Sequence, residues 1–181
     1  DTTGGNVAIG FRSLKNQNSN TSAYNVAIGY NSGTQITTGT QNTLIGSIAG
    51  DALTTGSNNV AVGYQALSAE DENNNNVAIG SQALKVLNAG NTGNNVAVGK
   101  EAGKVVSTGI KNTILGSKAG DLLESGQNNI IIGYNAEASA VDVSNTITMG
   151  DSNVNLLRIP GLGSSDGHVL TYSSSSGGIV L

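Results

Sequence analysis

The chain has 181 residues, of which 26 are glycine, one is proline and none is cysteine, and only 3% are aromatic. A net charge of -4 with 11% charged residues argues against an electrostatic grip on nucleic acid or on an anionic membrane, because both need clustered lysine and arginine. Without cysteine, neither a disulfide framework nor a thiolate metal site can form. The apolar runs are far shorter than the roughly 20 residues that span a bilayer, so we expect no membrane insertion and no nucleic-acid partner.

A five-residue motif recurs along most of the chain: asparagine, three mostly apolar residues, and glycine. Eight copies end on Gly10, Gly29, Gly46, Gly63, Gly80, Gly99, Gly116 and Gly133, and a degenerate ninth copy ends on Gly150. Successive glycines are 19, 17, 17, 17, 19, 17, 17 and 17 residues apart. A short fixed period is typical of stacked repeats, in which each unit buries its apolar side against its neighbours.

The first and last positions of the motif do not vary among the eight full copies. The first position is occupied by Asn6, Asn25, Asn42, Asn59, Asn76, Asn95, Asn112 and Asn129. Asparagine suits a tight corner and can pass amide hydrogen bonds between stacked copies. Glycine allows a positive φ or the close approach of another backbone. We therefore predict an all-β, parallel β-solenoid of about eight to nine coils, each 17–19 residues long.

The three residues between asparagine and glycine form a short strand, and its first and third residues share one face. These residues are β-branched in nearly every copy, so we expect this face to fill the inside of the coil. The predicted coil core is Val26, Ile28, Val60, Val62, Val77, Ile79, Ile130 and Ile132.

The middle residue of the strand lies on the opposite face and is apolar as well. A strand with one face in water would carry a polar residue there, so both faces are expected to be buried. Identical chains about a symmetry axis are the simplest source of a cover. The predicted interface between chains is Ala8, Ala27, Leu44, Ala61, Ala78, Ala97, Ile114 and Ile131.

A second extended stretch is predicted after each glycine. Its third residue is always small: Ser13, Ser32, Ala49, Ala66, Ala83, Ala102, Ala119 and Ala136. Four residues later, large aliphatics recur in five copies and are expected to form the opposite wall: Ile36, Leu53, Leu87, Val106 and Leu123. Residues 41–51 recur as residues 111–121, which indicates that a four-coil unit of 70 residues was duplicated.

The repeat pattern stops after Gly150. We predict a solenoid over residues 1–150 and, over residues 151–181, a linker that contains the single proline, Pro160, followed by a β-hairpin. The chain does not begin with methionine and opens inside a repeat, so we interpret it as a piece of a longer protein with a tip beyond Leu181.

The Asn-Val-Ala-Ile-Gly motif, the small residue three positions later and the short period resemble the head repeats of trimeric autotransporter adhesins (YadA-like heads) and the related repeats of phage tail fibres. The resemblance covers about residues 1–150. It implies left-handed parallel β-rolls packed as a homotrimer. It also implies an extracellular location, on a virion tail fibre or a bacterial cell surface, and a host cell-surface receptor, glycan or protein, as the partner of the fibre.

Catalytic candidates are few, although an enzyme needs a positioned acid, base, nucleophile or metal. His168 is the single histidine and has only Asp166 nearby, which favours a surface role. Residues 71–75 begin like a calcium loop, but Asn76 and Gln82 replace the glycine and glutamate of such a loop. We predict no enzymatic activity, no cofactor and no metal. A polysaccharide lyase would be a third interpretation, and it would need paired carboxylates from among Asp51, Glu101, Asp121 and Glu124.

Tyr30, Tyr64 and Tyr134 share the position directly after the motif glycine. Exposed tyrosines can stack on sugar rings, which makes these residues possible glycan contacts. The other interpretation is packing at the coil edge, because Ser47 and Lys100 occupy the same position in other copies.

The sequence as a whole predicts a structural shaft or adhesive segment of a trimeric phage tail fibre or bacterial surface fibre, which positions a host-receptor-binding tip. The alternative is an adhesin head that itself binds host protein or glycan. Binding of the isolated chain to a glycan array would favour the head.

Overall fold

The computed structural model describes residues 5–18, 22–69, 72–90 and 92–154, together with the backbone of two short strands within residues 171–180. The described residues form β-strands joined by turns, and none of them lies in a helix.

Nine strands of three residues stack into one parallel sheet in sequence order. They are β1 (Val7–Ile9), β2 (Val26–Ile28), β3 (Thr43–Ile45), β4 (Val60–Val62), β5 (Val77–Ile79), β6 (Val96–Val98), β7 (Thr113–Leu115), β8 (Ile130–Ile132) and β9 (Ile147–Met149). Each strand pairs with the next in the register of the motif, as where Ala61 lies opposite Ala78. The parallel β-solenoid is therefore confirmed. We number its coils 1 to 9 after their strands, and at about 4.8 Å per strand the sheet is about 38 Å long.

Backbone conformation explains why the motif ends on glycine. Gly63 has a φ of +135°, a region that other residues rarely adopt. A Cβ on Gly63 would also lie 2.6 Å from the carbonyl carbon of Gly80 in the next coil. Glycine is thus required both for its conformation and for the close approach of the coils. At the other end of the motif, the left-handed residue is the one before the repeated asparagine, such as Asn58 with φ +60°.

The repeated asparagines form a buried ladder that joins consecutive coils. Oδ1 of Asn59 accepts a hydrogen bond from the backbone N–H of Asn76 (2.9 Å), and its Nδ2 donates to the backbone carbonyl of Asn73 at the end of the same coil (2.8 Å). The same two bonds recur at Asn25, Asn42, Asn95, Asn112 and Asn129. The predicted passing of amide hydrogen bonds from coil to coil is confirmed.

The interior of each coil is lined from both walls. The small residues and the large aliphatics that follow each glycine face inward, and Leu53, Ala66 and Leu87 are fully buried. These aliphatic side chains form the opposite wall that the sequence predicts.

In coils 3, 4, 5 and 7, the residue four positions past the motif glycine complements the volume of the middle strand residue. Where the middle residue is Leu44, that position is Gly50, and a Cβ there would lie 2.8 Å from Cδ2 of Leu44. Where the middle residue is Ala61, the position is Leu67, which is fully buried. In coil 2, where both Ala27 and Gly33 are small, side chains of the neighbouring coils fill the space, since a Cβ on Gly33 would lie 2.8 Å from Cδ1 of Leu44 and 3.0 Å from Cδ2 of Leu14. The interior is thus densely packed.

The wall after each glycine is a series of turns and not the extended stretch that we predicted. In coil 4, residues 64–69 form turns, and Gln65 and Leu67 both have φ of +53°. Left-handed residues at every second position prevent an extended strand. The backbone still bonds to the next coil, since the N–H of Leu67 donates to the carbonyl of Ala83 (3.0 Å).

Two further strands, β10 (Thr171–Ser173) and β11 (Gly178–Val180), pair antiparallel. The other residues from 155 to 181, including Pro160 and His168, lie outside the described residues. The linker and hairpin segment over residues 151–181 therefore stays a prediction, as does any role of His168.

Candidate interaction surface

The two faces of the sheet are the reverse of what the sequence predicted. The middle strand residues, predicted to meet other chains, point into their own coil, and all but Ala8 in coil 1 are fully buried: Ala27, Leu44, Ala61, Ala78, Ala97, Ile114 and Ile131. The flanking residues, predicted as the coil core, point outward and remain accessible: Val26, Ile28, Val60, Val62, Val77, Ile79, Ile130 and Ile132. The structure therefore reverses both predictions, because the interior of the coil is narrow. An interior that also holds Leu67 or Leu84 has room for a middle alanine but not for two β-branched side chains.

The outward side of the sheet is a continuous apolar surface. We define the outer face as the first and third residues of strands β1 to β9. Of these 18 side chains, 16 are Val, Ile, Leu or Met, two are Thr43 and Thr113, and none is charged. Ile79, in the middle of the stack, is 38% exposed. Soluble monomers rarely expose an uncharged apolar patch about 38 Å long, which makes the outer face the candidate interaction surface.

Aromatic side chains follow one border of the outer face, directly after the motif glycine. Tyr30 and Tyr64 are 50% and 49% exposed, and Tyr134 is 69% exposed. Phe11 occupies the same position in coil 1, and its ring stacks on that of Tyr30 with centroids 5.6 Å apart. The guanidinium of Arg12 lies 5.1 Å from the centroid of Phe11. We call this row of positions the aromatic border. Phe11 was not among the predicted contacts, because the prediction considered tyrosines alone. Its position directly after the motif glycine is the signal that could have identified it.

Two of the acidic side chains considered for catalysis lie far apart on the solenoid. Asp51 and Asp121 occupy equivalent positions four coils apart, about 19 Å along the stack, so these two carboxylates cannot pair. Burial raises the pKa of Glu137, and the nearby charge of Asp121 raises it further. Among the described residues, no group of three or more His, Cys, Asp or Glu side chains could hold a metal ion.

The buried carboxyl of Asp51 gives a pH-dependent contribution to stability. Burial raises its pKa to about 6, and its Oδ1 is buried without a hydrogen-bond partner. Because the folded chain binds this proton more tightly than the unfolded chain, the contribution of Asp51 to stability is greatest below about pH 4 and declines as the pH rises through about 6.

The Asp51→Asn variant is accordingly expected to be more stable than the unmodified chain at pH 7.5. The gain should be on the order of 1 kcal/mol after allowance for solvent screening of a half-buried group, and it should disappear at pH 4. Urea unfolding at the two pH values measures it. Asp142→Asn, at an exposed position, is the control and should have little effect. An equal gain from Asp51→Asn at both pH values would contradict this explanation.

Comparison with known proteins identifies no neighbour: no protein-family model, no curated protein sequence and no solved structure matches the chain. The resemblance to YadA-like head repeats therefore stays a prediction from the motif. Over the ranges that the structure describes, there is no helix long and apolar enough to cross a membrane.

Proposed function

We propose that the chain is the structural shaft of a homotrimeric fibre, a phage tail fibre or a bacterial surface fibre, which positions a host-receptor-binding tip. The observation that carries the proposal is the outer face, in which 16 of 18 side chains are apolar along all nine strands. Removing this surface from water is favourable in proportion to its apolar area, so a partner is expected to cover it.

The repeat of the outer face determines which partner fits. A partner that covers the outer face must match its strand spacing of about 4.8 Å over a length of about 38 Å. A second and a third copy of the same solenoid, aligned along a common axis, match that spacing at every coil. Cyclic symmetry is the usual arrangement of identical chains. In the proposed trimer, three left-handed solenoids turn their outer faces toward the axis, and the middle strand residues play no part in the interface.

The internal bonding of the solenoid supports a mechanical role. Each strand is hydrogen-bonded to the coils before and after it, and the asparagine ladder adds buried side-chain bonds such as that between Asn59 and Asn76. Among strands β1 to β9, only the two end strands leave an edge of the sheet unpaired. Such a rod resists bending and protease access, because few backbone groups are free to separate.

The Ile79→Asp variant is expected to dissociate the trimer without unfolding the coil. The substitution would bury three unpaired carboxylates at one level of the interface, at a cost of several kcal/mol. Light scattering should give three times the 18.1 kDa chain mass for the unmodified protein and one chain mass for the variant. The far-ultraviolet circular dichroism should stay the same.

Two substitutions serve as controls for the Ile79→Asp experiment. Gln82→Asp, outside the outer face, should remain trimeric. Ala78→Asp, which places a charge inside the coil, should unfold it. A monomeric unmodified chain at micromolar concentration would rule out the proposed assembly.

The exposed tyrosines of the aromatic border favour a second candidate function, an adhesin head that binds host protein or glycan directly. Binding of the isolated chain to a glycan array would support the head. Binding by a longer fibre that contains this chain, with no binding by the chain itself, would support the shaft.

A further inference from the structure

Two tyrosines of the aromatic border lie two coils apart, with a single small residue between them in the border. Tyr30, Ser47 and Tyr64 occupy the border in coils 2, 3 and 4. In adjacent coils, the rings of Phe11 and Tyr30 are nearly parallel, with an interplanar angle of 13°, and fill the space between them. Tyr30 and Tyr64 have almost the same exposure, 50% and 49%. Since the coils repeat, we infer that Tyr64 extends from its coil as Tyr30 does.

The two rings are two coils apart, which is about 9.6 Å. We propose that Tyr30, Ser47 and Tyr64 form a slot that binds one pyranose ring of a neutral glycan. A flat aromatic guest in contact with both rings would need only about 7–8 Å, at 3.5–4.0 Å per contact. The remaining space of about 2 Å suits a puckered ring whose axial hydrogens point at the two tyrosine faces.

The side chains around the slot are uncharged and mostly polar. Ser47 lies between the two tyrosines in the border, and its hydroxyl can bond to a sugar hydroxyl. The amide of Gln65 follows Tyr64 directly, and its Oε1 accepts a hydrogen bond from Nε2 of Gln82 (2.9 Å). The residues directly after each motif glycine in coils 2 to 5, and those that follow them, carry no charge. This environment favours a neutral sugar over a phosphorylated or carboxylated one.

The slot occurs once in the aromatic border of the described coils. Tyr134 has Ser117 one coil away and Lys100 two coils away, so no second ring faces it. The possible glycan contact predicted at Tyr134 is therefore not part of the slot. The slot lies beside the outer face and not within it, so the proposal goes beyond the shaft function and does not depend on the trimer.

Saturation-transfer NMR on the full chain, with methyl glucoside, methyl galactoside, methyl mannoside and methyl N-acetylglucosaminide as probes, tests the slot. At least one probe should receive saturation at its ring hydrogens. The signal should fall at least fivefold in Tyr30→Ser and in Tyr64→Ser, each of which removes one wall. It should also fall in Ser47→Tyr, which fills the slot with a third ring.

Tyr134→Ser is the matched control and should bind like the unmodified chain. Thermal unfolding confirms that each variant is folded, and Tyr30→Phe and Tyr64→Phe, which keep the rings, should retain the signal. Absence of transfer to all four pyranosides would overturn the proposal. Equal loss in Tyr134→Ser, or transfer to phenol with none to the pyranosides, would also overturn it. Light scattering on the same samples reports the trimer separately, so the two proposals fail independently.

Discussion

The Asn59→Ala variant is expected to lose about 2–6 kcal/mol of unfolding free energy. The side-chain amide of Asn59 satisfies two buried backbone groups, the N–H of Asn76 and the carbonyl of Asn73. Alanine would remove both hydrogen bonds, at about 1–3 kcal/mol each, and would add a cavity inside the stack. Since whole domains are stable by only about 5–15 kcal/mol, a loss of this size should separate coils 4 and 5 or unfold the chain. Urea unfolding followed by circular dichroism measures the change.

Asn58 provides a matched control one residue away. It is exposed and has φ +60°, a conformation that glycine adopts at no steric cost. Asn58→Gly should therefore leave stability within about 0.5 kcal/mol of the unmodified chain. If Asn58→Gly and Asn59→Ala were equally destabilising, the ladder would not be the source of the stability assigned to it.

Periodicity and the repeated residues predicted most of the fold. A strand three residues long carries little conformational preference of its own, but eight strands directly after an asparagine, and a ninth after Thr146, leave one parallel register. The invariant asparagine and glycine each report a physical need, a buried amide bond between coils for Asn59 and a positive φ for Gly63. These columns located every strand of the solenoid.

The direction of the two strand faces did not follow from the pattern. Alternation separates the middle residue from its neighbours, but both faces are apolar, so hydrophobicity alone cannot tell which one points inward. The side-chain volumes, however, indicate which face points inward in several coils. Leu44 occurs with Gly50, and Ala61 with Leu67, as expected for side chains that share one interior. In these coils, comparing residue sizes, and not only their polarity, identifies the inner face, whereas Ala27 with Gly33 and Ala97 with Gly103 show no such exchange.

The turn-rich wall was missed because local preference points elsewhere. Ile48 has φ +61°, although β-branched residues strongly disfavour the left-handed region. The N–H of Ile48 donates to the carbonyl of Tyr30 in the previous coil (2.8 Å). The repeated bonds between coils thus hold a conformation that the isolated sequence would avoid.

A methyl group on a motif glycine is expected to be as damaging as the loss of the ladder. The Cβ of Gly63→Ala would lie 2.6 Å from the carbonyl carbon and oxygen of Gly80, and these are backbone atoms that cannot turn aside. The clash and the strained φ of +135° should together cost about 2–6 kcal/mol. Amide exchange of Gly80, whose N–H donates to the carbonyl of Val62 (2.7 Å), should accelerate because coils 4 and 5 are forced apart.

Gly90→Ala is the control: its φ is also positive, +74°, but its Cβ would meet nothing within 4 Å. It should cost only about 1–2 kcal/mol and leave the exchange of Gly80 unchanged, whereas equal losses in the two variants would show that conformation alone, and not contact between coils, requires the motif glycine.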